Sequence, residues 1–186
     1  AARKEYEGVA RFFRAYFYYN KVKRFGEVPW FSDVLSSTDD RLYSPRTPRN
    51  ELMSNIIADL DYAIDNLPTA KNLYRVTKWA ALALKSRACL YEGTWLKYHG
   101  VSGYESYLTA AATAAETLID SRQYTIYATG EQPYRDLFAA DKAKAEEVIL
   151  ARNYFLGLSI VHSANLYFFG GGSAPGLNKK VVDSYL

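Results

Sequence analysis

Residues 4–25 read KEYEGVARFFRAYFYYNKVKRF. Apolar residues recur at Tyr6, Val9, Ala10, Phe13, Tyr16, Phe17 and Val22, the spacing of one helix face. Phe12, Tyr18 and Tyr19 widen that face, so the helix is predicted to be covered on most sides. Gly26 fits its C-terminal cap, and Pro29 follows closely.

Three further helices follow. One spans about 48–66, with Thr47 to cap it and Pro48 at the first helical position, where a missing N–H costs nothing. Its stripe is Leu52, Ile56, Leu60, Ala63, Ile64 and Leu67; Asp59, Asp61 and Asp65 are predicted to point away, and Pro68 ends it. The next spans about 77–98, capped by Thr77. Ala80, Ala81, Ala83, Ser86 and Ala88 let a neighbour approach closely, which places this helix centrally. Cys89 within it reads as a buried small hydrophobe, since no nearby base would form its thiolate. The last spans about 104–120, with Tyr107, Leu108, Ala111, Ala114, Ala115, Leu118 and Ile119 on its apolar side. Beyond residue 122 the pattern changes. Residues 124–127 are β-prone, 133–138 read as a short helix, 147–153 as a strand, and 156–178 as loop with Gly170, Gly171 and Gly172. The expectation is a mainly α fold with long loop insertions and a little β near the C-terminal end.

Composition narrows the function classes. The chain has 186 residues, and 16% of them are aromatic. Disorder requires few aromatics and high charge, so a disordered chain is excluded. No apolar run approaches the roughly 18 to 20 residues of a membrane-spanning helix. One Cys excludes an internal disulfide framework and a Cys-rich zinc site, and two His leave little for a multi-His metal centre. No metal or cofactor is expected. The net charge of +3 is too mild to point to nucleic acid. It is uneven, however: seven bases fall in residues 1–26 and seven acids in residues 31–68. Two solvated helix faces of opposite sign, packed side by side, explain that better than a basic membrane-surface helix. The chain opens at Ala1 inside a predicted helix and closes at Leu186 after an apolar stretch. The expectation is therefore a piece of a longer protein, read as one helical domain over 1–186.

No catalytic constellation stands out. The glycines at 170–172 lack a following Lys-Ser or Lys-Thr, so they form no phosphate-binding loop. His99 and His162 have no carboxylate motif between them that suggests a triad or a metal. The acid pairs Asp39-Asp40 and Glu146-Glu147 would serve glycoside hydrolysis only at a fixed spatial separation, which sequence does not show. Aromatic rings in loops remain: Trp30, Phe31 and Tyr43 in the first insertion, Trp95, Tyr98, His99 and Tyr104 around the second, and Tyr167, Phe168 and Phe169 beside Asn165 and His162. Loops on a rigid scaffold are where binding residues usually sit. Sugar rings stack their C–H faces on aromatic faces, while Asn and His hydrogen-bond hydroxyls. The candidate ligand residues are Tyr167, Phe168, Asn165, His162 and Trp30; for any one ring, plugging an insertion onto the core is the commoner use.

A degenerate repeat of about 67 residues relates Gly26 with Trp30 to Gly93 with Trp95, twice the usual tetratricopeptide length of about 34. Three blocks then become familiar in order. They are Ala10 to Asn20 (ARFFRAYFYYN) with Arg24 to Pro29 (RFGEVP), Ser44 to Arg49 (SPRTPR) with Ile56 to Ala63 (IIADLDYA), and Arg75 to Arg87 (RVTKWAALALKSR) with Tyr91 to Trp95 (YEGTW). Gly176 to Tyr185 (GLNKKVVDSY) supplies a fourth. Together they resemble the SusD/RagB family. The resemblance implies tetratricopeptide-like helix pairs. It also implies a non-enzymatic lipoprotein on the outer face of a Gram-negative outer membrane, delivering an oligosaccharide, or in one branch a peptide, to a TonB-dependent transporter. The family's lipidated Cys is absent from this chain, and its ligand residues follow no motif, so none is carried over. Two other readings stand beside it: a tetratricopeptide-like scaffold binding protein partners only, and a glycoside hydrolase.

Overall fold

The computed structural model describes residues 2–155, 157, 159–160 and 178–184. The chain divides into two compact units, Ala1–Ala151 and Arg152–Leu186. The first holds four long helices: α1 (Ala2–Phe25), α2 (Arg49–Asn66), α3 (Lys78–Tyr98) and α4 (Tyr104–Asp120). A 3₁₀ turn at Asp40–Tyr43 lies in the first insertion, and a short helix α5 (Pro133–Phe138) follows α4. α1 packs on α2, α2 on α3 and α3 on α4, with a lighter contact of α1 on α3. The fold is mainly helical, with the tetratricopeptide-like pairing that the repeat predicts.

Local signals set the helix ends. Gly26 sits at φ +71, a left-handed position that suits glycine, and its amide bonds Val22 O at 2.9 Å, closing α1. At the start of α2 the residues work differently from expectation. Pro48 is itself the cap residue, and the Thr47 hydroxyl accepts the Trp30 amide at 3.0 Å instead of a helix amide. Thr77 caps α3 through its backbone: its carbonyl accepts the amides of Ala80 and Ala81, while its hydroxyl bonds no first-turn amide.

The core joins Phe12, Ala15, Tyr19 and Val22 of α1, Leu52, Met53, Ile56, Leu60 and Ala63 of α2, and Ala80, Ala81, Leu84 and Ala88 of α3. α2 thus buries the predicted stripe, with Ile64 only partly covered. α1 does not. Its buried face is Gly8, Phe12, Ala15, Tyr18, Tyr19 and Val22, whereas Tyr6, Phe13, Tyr16 and Phe17 are exposed. α1 carries two apolar faces. The inward one holds the small residues Gly8 and Ala15, and a Cβ added at Gly8 would lie 3.3 Å from Leu67. Close approach by α2 therefore selects that face. On α4, Ala111 and Ala114 are buried, but Ile119 turns to solvent.

Asp59, predicted to point away, is instead buried at 2% exposure because two arginines of α1 receive it. Asp61 is half-buried and pairs with Lys85 at 2.5 Å; only Asp65 is fully outward. Central placement of α3 holds, and Cys89 is fully buried. The segment 147–153 forms no strand. The amides of Glu147 and Val148 turn back to Lys144 O, and Ala151 N makes a lone bond to Leu73 O at 2.8 Å. β-branched residues without a partner strand are held here by burial of Ile149 against the core. Among the described residues of the second unit, an antiparallel bridge joins Phe155 and Ile160, and Lys179–Asp183 forms a short helix, α6.

Candidate functional site

The first insertion leaves α1 at Gly26 and returns at α2. It is fastened along its length. Val28 O accepts the Thr47 amide, the Tyr18 hydroxyl accepts the Phe31 amide at 2.8 Å, and Ser32 O accepts Arg14 Nη1 at 3.1 Å. These bonds present Trp30 half-buried, with its ring 4.2 Å from the Tyr18 ring and the Arg14 guanidinium 5.0 Å from its centroid. The ring therefore plugs the insertion onto α1, the ordinary use of a large aromatic.

Arg14 is fixed in turn. Its Nε and Nη2 donate to the two oxygens of Asp59 at 2.6 and 2.7 Å. That bidentate bond raises the Arg14 pKa above its ordinary value, so the charge is permanent. Arg11 stands 3.7 Å from the same carboxylate, lies 4.0 Å over the Tyr62 ring and bonds Glu7. The Arg11 hydrogen bond is the main cause holding Glu7 below the usual carboxylate range. A line of charge therefore runs Glu7, Arg11, Asp59, Arg14 along the α1–α2 seam and ends under Trp30.

A second node forms at the other tryptophan. Arg49, the first residue of α2, donates Nε and Nη2 to Glu92 of α3, itself 1% exposed, at 2.9 and 2.7 Å. The Arg49 guanidinium lies 3.8 Å from the Trp95 ring centroid, and the His99 ring stacks on the same indole at 4.1 Å and 18°. Two flat groups that close to one centroid occupy opposite faces, so neither face of Trp95 is open to a sugar. His99 Nδ1 donates to Trp95 O at 2.7 Å, since a carbonyl only accepts, which leaves Nε2 outward. Among the loop rings described, Tyr43 and Tyr98 are the ones that stand open, at 89% and 84% exposure. Nothing in the sequence separates them from Trp30 and Trp95, because what differs is which ring meets an arginine.

One carboxylate of each pair has a structural partner. Asp39 bonds Arg41, which also reaches Asp33, and Glu147 accepts the Tyr127 amide at 2.8 Å. Among the described residues no group of three His, Cys, Asp or Glu side chains is placed to hold a metal. Tyr167, Phe168, Asn165 and His162 lie outside the described residues. Of the predicted ligand residues, the structure therefore places Trp30 alone.

Comparison with known proteins follows the same residues. A SusD-like family described as "Starch-binding associating with outer membrane" matches residues 2–90, the span of α1, α2 and the first part of α3. SusD-like protein P38 of Formosa agariphila is 29% identical over 138 residues, which is 74% of this chain and 25% of that protein. A structure solved with xylogluco-oligosaccharide aligns at a TM-score of 0.66 and 25% identity, over 83% of this chain and 30% of the other. A further solved structure, 23% identical, shares the fold across the whole chain at a TM-score of 0.73, covering 37% of its own length. The chain thus spans about a quarter of the length of the curated relative.

Proposed function

The chain is SusD-like over its helical part, and from that premise we propose that it is the helical portion of a longer surface protein. This protein binds a glycan without chemistry of its own and passes it to a TonB-dependent transporter at the outer membrane. The observation that carries the reading is the match over residues 2–90, in which the insertion between α1 and α2 is bonded down at Val28, Phe31 and Ser32. A loop so fastened is a rigid display, and rigidity lowers the entropy lost on binding. The relative solved with xylogluco-oligosaccharide supports an oligosaccharide as the ligand class. The carboxylates of Asp39 and Glu147 already serve structural partners, which weighs against a hydrolase. Tyr167 and Phe168 are the proposed stacking rings, Asn165 and His162 the proposed hydroxyl partners, and Trp30 a further candidate ring.

Calorimetric titration of the full-length parent with xyloglucan, starch and peptide oligomers tests this, together with co-purification from outer membranes. Saturable oligosaccharide binding without turnover, and a transporter in the eluate, are the expected results. Absence of binding to every oligomer, or cleavage of any of them, overturns the proposal.

A further inference from the structure

The first insertion returns to α2 as an extended rib, Ser44-Pro45-Arg46-Thr47-Pro48. Ser44 (φ −60, ψ 147) and Pro48 (φ −54, ψ 142) both have the angles of a polyproline helix. Between them the Pro45 ring fixes its own φ, and Pro48 holds Thr47 extended. Such a helix turns once in three residues. The burial pattern keeps that period: Ser44 and Thr47 are partly buried, while Tyr43, Pro45, Arg46 and Pro48 are exposed. The inward side is bonded down. The Ser44 amide donates to Arg41 O, the Thr47 amide to Val28 O, and the Thr47 hydroxyl accepts the Trp30 amide.

Two outward groups do nothing for the fold. Tyr43 is 89% exposed, and among the described residues it makes no side-chain hydrogen bond and meets no ring or cation. Arg46 is exposed and, among the described residues, has no side-chain hydrogen bond, ion pair or ring contact. The arginines on either side contrast with it. Arg41 is locked between Asp39 and Asp33, and Arg49 between Glu92 and Trp95. The rib crosses beside Val28, just past the last turn of α1, where Lys23 and Arg24 form no ion pair. Glu27 is the one acid in residues 20–30, and its carboxylate already accepts the Arg49 amide at 3.3 Å. From Tyr43 to Arg46 the chain advances about 9 Å at the polyproline rise, so one sugar chain can touch both. The C–H face of a pyranose lies flat on a phenol ring. The planar guanidinium fork matches a carboxylate with two parallel bonds. An unpaired, water-exposed cation gains little from a neutral hydroxyl that replaces water, but it gains from an anion.

We propose that Tyr43 and Arg46 form a subsite for a carboxylated sugar, a uronic acid residue of the bound glycan. This rests on the reading above that the parent protein binds a glycan, and adds the charge of the sugar to it. The rib is fixed before the ligand arrives, so little entropy is lost in ordering it. Titration of the full-length parent with an oligogalacturonate, its methyl ester and a xyloglucan oligomer tests the proposal, in the wild type and in Arg46→Gln, Arg46→Lys and Tyr43→Ala. Both side chains stand free of the fold, so each variant is expected to unfold at the wild-type urea concentration. The oligogalacturonate is expected to bind several-fold tighter than its ester, with the difference shrinking in added salt. Arg46→Gln is expected to abolish that difference, and Arg46→Lys, which keeps the charge without the fork, to retain part of it. Tyr43→Ala is expected to weaken acid and ester alike. Equal affinity for acid and ester overturns the proposal, and so does a preference for the acid that survives Arg46→Gln. Protection of Tyr43 from hydroxyl-radical labelling in the ligand-free parent overturns it too, because the ring is then covered by the rest of the polypeptide. Xyloglucan binding without preference for the acid ends this proposal and leaves the proposed function standing; absence of binding to every oligomer ends both.

Discussion

The α1–α2–α3 side of the array and the α3–α4 contact hold together by opposite means. On the first side each interface carries one buried carboxylate met by a bidentate arginine: Asp59 with Arg14, then Glu92 with Arg49. At α3–α4 the helices approach because side chains are missing. Gly93 faces Leu108, Ala111 and Ala114 are buried, and the Ser86 hydroxyl bonds Ala111 O at 2.9 Å. Ion pairs fix register and angle between helices but leave a charge stranded when one partner is lost. Small-residue contacts strand nothing; they fail by crowding. The two sides therefore break differently.

The largest effect belongs to Glu92. Its carboxylate is 1% exposed and the Arg49 side chain 14%, so neither reaches water once the other is gone. Glu92→Ala is expected to cost about 3–5 kcal/mol, a large share of a typical stability of about 5–15 kcal/mol. Urea unfolding followed by circular dichroism measures it. The double variant Arg49→Met with Glu92→Leu is expected to recover most of the loss. No recovery would show that the pair does more than neutralise itself.

Asp59→Ala comes next, at about 2–3 kcal/mol, because Arg14 is 27% exposed and can turn outward. This variant also sharpens the comparison. Arg14 holds Ser32 O and lies against Trp30, so its release is expected to speed hydrogen exchange at the Trp30 and Phe31 amides. Glu92→Ala is expected to leave those two amides slow. Equal exchange in both variants would mean that the insertion is held by Thr47 and Tyr18 alone.

At α3–α4, Gly93→Ala places a Cβ 2.7 Å from Leu108 Cδ2 and 3.2 Å from the Leu108 backbone nitrogen. The side chain can yield but the backbone yields little, so a cost of about 1–3 kcal/mol is expected. Leu108→Ala added to it is expected to destabilise less than the two single changes summed, since the crowding atoms are removed. Strict additivity would place the limit on the backbone.

These differences follow what was legible in the sequence. Helix bounds were readable because their signals are local: Gly26, Pro48, Pro68 and the small residues of α3 act on their own neighbours. The central place of α3 was readable for the same reason. The buried state of Asp59 was not, since its partner stands 45 residues away and an aspartate on a helix is usually solvated. Nor was the phase of α1, where both faces are aromatic and only the fit of Gly8 and Ala15 to α2 decides between them. For the site, the sequence marked aromatic loops as a class. It did not show that Trp95 has both faces filled or that Trp30 is pinned between Tyr18 and Arg14, because those facts are tertiary contacts.

Cys89 gives the smallest and most selective test of the dry α3–α4 side. It is fully buried, and burial pushes its thiol from 9.0 up to about 11, with Lys85 only partly opposing. The folded chain therefore holds this proton more tightly than the unfolded chain does. Stability from that source is complete below pH 9.0, falls as pH rises, and is spent above about 11. At pH 10 the loss comes to about 1 kcal/mol. Tyr19, Tyr107 and Tyr124 are also raised chiefly by burial and lose stability in the same direction, so the wild-type curve alone does not isolate the thiol. Comparison with Cys89→Ala does, because the tyrosines are common to both. The wild type is expected to fall relative to Cys89→Ala between pH 9 and 11, and its native thiol to resist a disulfide reagent at pH 8 until urea opens the array. Parallel curves with a fast-reacting native thiol would mean that water already reaches α3 beside Tyr107. The contrast between a charged seam and a dry one would then fail at its dry end.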